Sequence, residues 1–395
     1  GIKATPNQEA MRSGMAYLEF VRGKEFNNQQ DFLDSIQSLA NTHLIPKVID
    51  IDKGYYPLAE MSALGKAGLF APHLNEYGNR LDLAILANAQ VGRVCGTTGF
   101  LTWCHQVMGL YLDQSNNTAL KQRILPDHII ANTFGGTALS NPMKTWANIE
   151  SMRLVAKKDG QGYSISGTLP WISHIAPDQY CGAVAQIEGT DDEVFFLLQF
   201  DKERAGKWEL HACPTFSGME GSSTWRIELQ NYPISTDDII ALPCKDFIKR
   251  IRGAFVLMQM GIGAGIIMGA IDDVKEGTAV SNAFLEDQAV TLQDELDRLV
   301  ARTAELAKTP FETHTDFFLD VLDVRTQGGM LSLKATQAAM LHQGAKGYLM
   351  SAAPQRRLRE AQFVAIVTPA IKHLRYLSHQ LMSEPNVRRD IEFHI

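Results

Sequence analysis

Apolar residues recur at two different periods along the chain, and the period changes twice. In the first third they recur every three or four residues, as in "DLAILANAQVGRVCGTTGF", which is the pattern of an amphipathic helix. In the middle the period is two, as in "TWRIELQNYPI", and Gly and Asp-Gly turns separate the runs, which is typical of strands. The helical period then returns. This order predicts an α+β fold with a helical N-terminal domain over 1–130, a middle β-barrel or sandwich over 131–243 and a C-terminal helix bundle over 244–395.

One segment of the C-terminal part, from Ala254 to Ile271, is almost continuously apolar and about long enough to cross a bilayer. It nevertheless contains Gln259. Gly261, Gly265 and Gly269 recur every four residues, which places them on one helix face where a neighbouring backbone can approach closely. We therefore interpret the segment as the central helix of a tight bundle, and we expect no membrane partner.

A helical pattern near the C-terminus is interrupted by proline. In "REAQFVAIVTPAIKHLR", Arg359 to Arg375, apolar residues keep the helical spacing on both sides of Pro369. Proline lacks a backbone N–H and clashes with the preceding turn of a helix. The sequence therefore predicts a helix that ends before Pro369 and a second helix that begins after it.

Composition and charge narrow the function classes. The 395 residues are 45% hydrophobic and 21% charged, with a formal net charge of −7. A chain with this charge lacks the basic field that nucleic acid or an anionic membrane attracts, so we expect a small-molecule or protein partner. The five cysteines are far apart and never form CxxC, so we expect neither a disulfide framework nor a metal site. Because a disulfide framework is not expected, the expected location is the cytoplasm.

Two motifs of the β region resemble those of the acyl-CoA dehydrogenase superfamily of flavoproteins. "TALSNP" stands where the family has a Thr-Glu-Pro motif at the end of the first strand, with Ser140 in the place of the threonine. "GYSISGTLPWISH" resembles the family segment that ends in Trp-Ile-Thr/Ser. The resemblance implies a flavin, FAD with FMN as an alternative, that contacts Leu139 and Ser140 on one side and Trp171, Ile172 and Ser173 on the other.

The resemblance continues into the C-terminal helices and covers nearly the whole chain. "GMEGSSTWRIELQ" resembles the segment that closes the family's β domain, and "LHQGAKGYLMSAAPQRRLREA" resembles its glycine-rich loop and the Arg-Asp-Ala that follows. In the family this loop reaches the flavin of a neighbouring subunit. The resemblance therefore implies that Gly344 binds cofactor and that the chain forms a homodimer or homotetramer.

The chain departs from the family where acyl-CoA is bound and deprotonated. Thr368 stands at the position of the glutamate base, and a threonine hydroxyl has no accessible pKa for that task. Some members carry the glutamate earlier, where this chain has Lys249. Trp146 replaces a serine beside the thioester, and Val256 replaces an arginine beside CoA. The Arg-x-x-Phe-Gly motif that helps to hold the flavin pyrophosphate is not recognisable, so a cationic clamp is lost.

These departures leave three hypotheses. The first is an FAD-dependent oxidoreductase that differs from an ordinary acyl-CoA dehydrogenase, with an electron-transfer flavoprotein as its partner and acyl-CoA as a candidate substrate. The second is a monooxygenase on the same fold, supplied with reduced flavin by a reductase, which needs no α-proton base but does need a hydrogen-bond donor near the flavin. His105 is a candidate for that donor, although a histidine among apolar helix residues is more often part of the core. The third is a flavin-free binding or scaffold protein.

Overall fold

The computed structural model describes residues 29–384, and the chain forms two compact units. Within the described residues, the helical unit comprises 29–103, 216–221 and 253–384, and the sheet unit comprises 104–215 and 222–252. Packing therefore groups the first helices with the last ones. The predicted boundaries at 130 and 243 stay a prediction, and the ends of those domains, 1–28 and 385–395, lie outside the described residues.

Along the chain, helices both precede and follow the strands, as the hydrophobic period predicts. Those before the sheet are α1 (Gln29–Leu44), α2 (Val48–Asp52), α3 (Leu58–Lys66), α4 (Leu81–Val94), α5 (Gly96–Gln114) and α6 (Thr118–Ile129). A short helix, α7 (Ser140–Trp146), lies within the β region. Those after the sheet are α8 (Lys245–Met258), α9 (Met260–Glu276), α10 (Ala289–Leu306), α11 (Thr315–Gln343), α12 (Ala353–Ile366) and α13 (Ile371–Met382).

The glycine-lined helix packs closely against α4, which confirms the role predicted for its glycines. A Cβ atom on Gly265 would lie 2.7 Å from the Cα atom of Gly92 and 2.8 Å from the carbonyl oxygen of Ala89. Such approaches are possible only without a side chain. The stretch Lys245–Glu276 has the length and apolar composition of a membrane span, but 94% of its most apolar window is buried within the protein.

In the described part of the chain, eight strands form one mixed sheet. They are β1 (Gly135–Ala138), β2 (Val155–Asp159), β3 (Gly162–Ile172), β4 (Tyr180–Ile187), β5 (Glu193–Gln199), β6 (Trp208–Ala212), β7 (Trp225–Ile234) and β8 (Ile239–Ala241). The order is β6-β7-β3-β2-β4-β5-β8, and β1 pairs in parallel with β4. The last two residues of β1 begin the "TALSNP" motif, the first of the two motifs whose family counterparts contact a flavin.

Strands β4 and β5 are buried on both faces. Phe196 and Leu198 belong to one apolar cluster of the sheet, whereas Phe195 points the other way and meets the rings of Tyr111 and Phe247. Tyr111 lies in the second half of α5 and Phe247 in the first half of α8, so helices cover that face. Burial on both sides explains why β5 reads as a continuous apolar run.

Candidate functional site

The first motif follows β1 directly. Leu139 is buried after the last residue of the strand, and Ser140 is the first residue of α7 and is half-buried. On the strand itself the hydroxyl groups of Thr137 and Tyr111 lie 2.7 Å apart. This contact ties β1 to α5 and fixes the point at which the chain turns into α7.

Strand β1, which leads into the first motif, lies beside the end of the second motif. Gly136 of β1 lies against the residues that end β3, and a Cβ atom on Gly136 would be 2.9 Å from the carbonyl oxygen of Ser173. Ile172 is buried below, and the Ser173 hydroxyl lies 2.6 Å from the hydroxyl of Thr224. The absence of a side chain at Gly136 thus lets the strand that precedes Ser140 approach the Ser173 segment closely.

Trp171 is the exposed member of the group. Its side chain is 64% exposed although it belongs to a strand, and its backbone is left-handed, with φ at 55°. A large aromatic ring on the surface, in a segment that also carries hydroxyl groups, fits the face and polar edge of a flavin ring. The residues present therefore fit the ring system of the cofactor that the resemblance implies.

His105, the candidate hydrogen-bond donor, lies in the interior of the sheet unit. It is fully buried, its Nδ1 lies 3.1 Å from Nε2 of His174, and its Nε2 lies 2.7 Å from the carbonyl oxygen of His128. Both ring nitrogens thus have a protein partner. The sequence reasoning missed His128 and His174, although His174 directly follows Ser173 in the second motif and was a visible signal.

Thr368 lies in the helical unit, at the predicted helix break. Helix α12 ends at Ile366 and α13 begins at Ile371, which confirms that prediction. The carbonyl oxygen of Thr368 accepts a hydrogen bond from Gln259 Nε2 at 2.9 Å. Gln259 in turn accepts one from Nε of Arg325, at 2.8 Å.

Arg325 is the reason that this break is stable. Its Nη2 donates to the carbonyl oxygen of Val364, one of the last carbonyls of α12, at 2.6 Å. Carbonyls at a helix end lack partners within the helix, and a cation near them is favoured by the helix dipole. The side chain is almost fully buried, and burial lowers the pKa of Arg325 to about 10. The break is therefore a built feature of the helical unit.

The remaining predicted residues are Gly344, Val256, Lys249 and Trp146, and each has its own surroundings. Gly344, in the helical unit, follows α11 with φ at 64°, a left-handed conformation that favours glycine, and it is exposed. Val256 is buried and Lys249 is exposed. Trp146 does not stand free in space, because its indole nitrogen donates to the Glu193 carboxylate of β5 at 3.1 Å.

Known proteins resemble the chain in sequence. The family model for the N-terminal domain of acyl-CoA dehydrogenase matches residues 27–131. The probable acyl-CoA dehydrogenase FadE25 of Mycobacterium tuberculosis is 23% identical over 357 residues, which cover 84% of this chain and 89% of that protein.

Solved structures share the same architecture. Butyryl-CoA dehydrogenase from Megasphaera elsdenii superposes with a TM-score of 0.79 at 16% identity, over 91% of this chain and 99% of the other. The dibenzothiophene monooxygenase TdsC from Paenibacillus sp. A11-2 superposes with a TM-score of 0.72 at 18% identity, over 88% and 95%. At these identities the structural likeness shows the fold, and it confirms the predicted α+β arrangement.

Proposed function

Because the chain belongs to the acyl-CoA dehydrogenase superfamily, we propose that it is a flavin-dependent oxidoreductase that differs from an ordinary acyl-CoA dehydrogenase. The observation that carries the proposal is the exposed Trp171 ring, in the segment that Gly136 lets approach the Ser140 motif. Exposure of a large aromatic ring to water costs free energy that a bound ligand recovers, and a flavin ring matches this residue in shape and polarity.

In this proposal the sheet unit holds the flavin ring. Leu139 and Ser140 contact one edge of it, and Trp171, Ile172 and Ser173 contact it from the end of β3. The flavin supplies the redox chemistry when bound, and the protein supplies orientation and hydrogen bonds. FAD is the first choice by family, with Gly344 of a neighbouring subunit as a further contact. FMN is the alternative, supported by the solved FMN-bound form of TdsC.

The absence of a carboxylate at Thr368 separates this chain from an ordinary dehydrogenase. Removal of an α-proton needs a base with a pKa near the working pH, and threonine provides none. Lys249 at the alternative position offers an amine and no carboxylate. A reduced-flavin monooxygenase needs no such base, and TdsC is a monooxygenase with this fold. We therefore keep the monooxygenase as the second candidate.

The proposed partners follow from the two reactions. A dehydrogenase would pass electrons to an electron-transfer flavoprotein and would take a small-molecule substrate, with an acyl-CoA as one candidate. A monooxygenase would receive reduced flavin from a flavin reductase. The flavin-free scaffold protein is the third alternative, and the proposed location is the cytoplasm.

The test is the visible spectrum of the purified protein after incubation with excess FAD or FMN, oxidised or reduced, followed by rapid filtration. We expect retained flavin in at least one of these four conditions. Acyl-CoAs of several chain lengths then separate the candidates, since bleaching of the flavin bands under nitrogen would support the dehydrogenase. A second experiment measures oxygen consumption by the reduced holoenzyme in wild type and in Thr368→Ala. Equal rates in the two proteins would support the monooxygenase. Protein that retains no flavin in any condition would refute the proposal.

A further inference from the structure

Three buried imidazole rings lie in the sheet unit, and one of them directly follows the Trp171 to Ser173 segment. His105 lies on α5, His128 on α6 and His174 directly after β3, and each is at most 1% exposed. Tyr180, at the start of β4, completes the group. Buried polar side chains in such number are costly unless each finds a partner, so the hydrogen bonds of each ring decide what the group can do.

The hydrogen-bond partners of His105 determine which ring nitrogen carries the proton when the ring is neutral. Its Nε2 lies 2.7 Å from the carbonyl oxygen of His128. A carbonyl oxygen only accepts, so this nitrogen carries a proton, and in the neutral ring Nδ1 is then an acceptor. His174 Nε2, which lies 3.1 Å from that Nδ1, is therefore the donor.

His128 continues the chain of hydrogen bonds. Its Nε2 donates to the carbonyl oxygen of His105 at 2.7 Å, and its Nδ1 accepts from the Tyr180 hydroxyl at 2.6 Å. The rings of His105 and His128 stack with their centroids 3.6 Å apart. Tyr180 pairs with Gly135 of β1, and its hydroxyl lies 3.0 Å from that of Thr133. The network thus joins α5, α6 and the sheet.

The segment from Trp171 to His174 has an unusual backbone conformation. Trp171 and His174 both have left-handed φ values, 55° and 61°, although neither is glycine. Such a conformation costs about 1–3 kcal/mol per residue and persists only when the surroundings hold it. At His174 the holding contacts are visible: the backbone N–H donates to the carbonyl oxygen of Ser222 at 2.9 Å, and the ring donates to His105.

Backbone contacts also tie this turn to the residues just before β7. The N–H group of His174 reaches the Ser222 carbonyl oxygen, and the Ser223 hydroxyl donates to the carbonyl oxygen of Ile175 at 2.7 Å. The turn is therefore held both at its backbone and at the buried ring of His174. A change in that ring acts first on the conformation of the residues beside it, Trp171 to Ser173.

We propose that His174 and His105 are positioning residues, which hold the Trp171 to Ser173 segment in the conformation that receives the flavin. This inference rests on the proposed function and names the residues that make its site rigid. It also changes the role expected for His105, which acts through His174 and does not itself contact the flavin. Preorganisation of this kind raises affinity because the ordering cost is met before binding.

The experiment compares His174→Leu with His174→Gln. Leucine removes the donor at the Nε2 position, whereas the glutamine amide can still donate to His105. Tyr180→Phe is the matched control, because it removes a buried hydrogen bond from the same network at its far end from Ser173. Dissociation constants for FAD and FMN, oxidised and reduced, are measured by flavin absorbance and fluorescence, together with the thermal midpoint and the visible circular dichroism of the bound flavin.

We expect His174→Leu to weaken flavin binding by about tenfold or more and to change the circular dichroism of what remains bound, as a lost hydrogen bond and a relaxed turn predict. His174→Gln should restore both to near the wild-type values. Tyr180→Phe should lower the thermal midpoint but leave the dissociation constant within about twofold, because its loss lies away from the turn.

Two other results would overturn the inference while leaving the proposed function intact. One is wild-type flavin affinity in His174→Leu. The other is an equal loss of affinity in His174→Leu and Tyr180→Phe, which would assign the effect to general stability. Wild-type protein that binds neither flavin in either redox state would instead remove the proposed function, and this inference with it.

Discussion

At the scale of single residues, the neutral state of His174 links stability to pH. Burial, with a smaller contribution from His128, lowers the pKa of His174 to about 3. In the unfolded chain a histidine titrates near its ordinary value of about 6.5. Below that pH the unfolded state therefore binds a proton that the folded state does not bind, so the free energy of unfolding falls as the pH falls.

The prediction is a loss of up to about 1.4 kcal/mol of unfolding free energy per pH unit from this residue between about pH 6.5 and 5. Denaturant titrations at several pH values across this range and just above it measure the loss, and His174→Gln serves as the comparison because its side chain does not titrate. The free energy of unfolding of the variant should depend less steeply on pH, by the amount that corresponds to about one proton fewer bound on unfolding. His105, His128 and Tyr180 face His174 or its network in both proteins and so cancel in the comparison. Identical slopes would contradict the prediction.

The residues of the candidate site differ in how far the sequence could predict them. Ser140, Trp171 and Ser173 lie in short contiguous motifs, so a resemblance to a family can identify them. The histidine network cannot be read in this way, because its bonded partners lie 23 and 69 residues apart. Which nitrogen meets which oxygen depends on the packing of α5 and α6 against the sheet, and no local pattern encodes that.

At the scale of helices and strands, the hydrophobic period predicted both the types of element and the break before Pro369. It did not predict the interruption between α8 and α9 at Gln259. The local sequence there is as apolar as the rest of the helix. The side chain of Gln259 meets Arg325 and the carbonyl oxygen of Thr368, which lie 66 and 109 residues away in the chain.

The close packing of α9 on α4 leads to a prediction at this scale. Gly265→Ala should lower the free energy of unfolding by about 1–3 kcal/mol, because the added methyl group meets the Gly92 backbone and the helices must separate. Gly263→Ala is the matched control on the same helix, since its Cβ atom would meet nothing closer than 3.8 Å. Alanine there should be neutral or stabilising by about 0.5–1 kcal/mol. Equal effects of the two substitutions in urea titrations would refute the packing argument.

At the scale of the whole molecule, packing of the described residues forms two units from five chain segments. The reason is that the N-terminal helix α4 and the C-terminal helix α9 share the glycine face, a contact between residues far apart in the chain. Hydrophobic period predicts which face of a helix is buried. It does not predict which other helix covers that face.

The same scale holds the prediction on self-association. Tyr348, Leu349 and Met350, which follow Gly344, are 72%, 59% and 67% exposed, and three successive large apolar residues on a surface are typical of an interaction site. We predict that a second copy of the chain covers them, as the resemblance of this loop implies. Sedimentation velocity should then show a particle of at least twice the 43.8 kDa of one chain.

Substitutions test whether the exposed residues Tyr348 to Met350, and not another surface, mediate the self-association. The double variant Leu349→Asp, Met350→Asp should shift the particle toward the mass of one chain, because two carboxylates would be buried without partners in the interface. Ile45→Asp, which changes another exposed apolar residue of the helical unit, should leave the mass unchanged. If the loop also reaches the flavin of a neighbouring subunit, the double variant should lose flavin affinity in step with mass. A dissociated variant with wild-type flavin affinity would place the whole cofactor site within one chain.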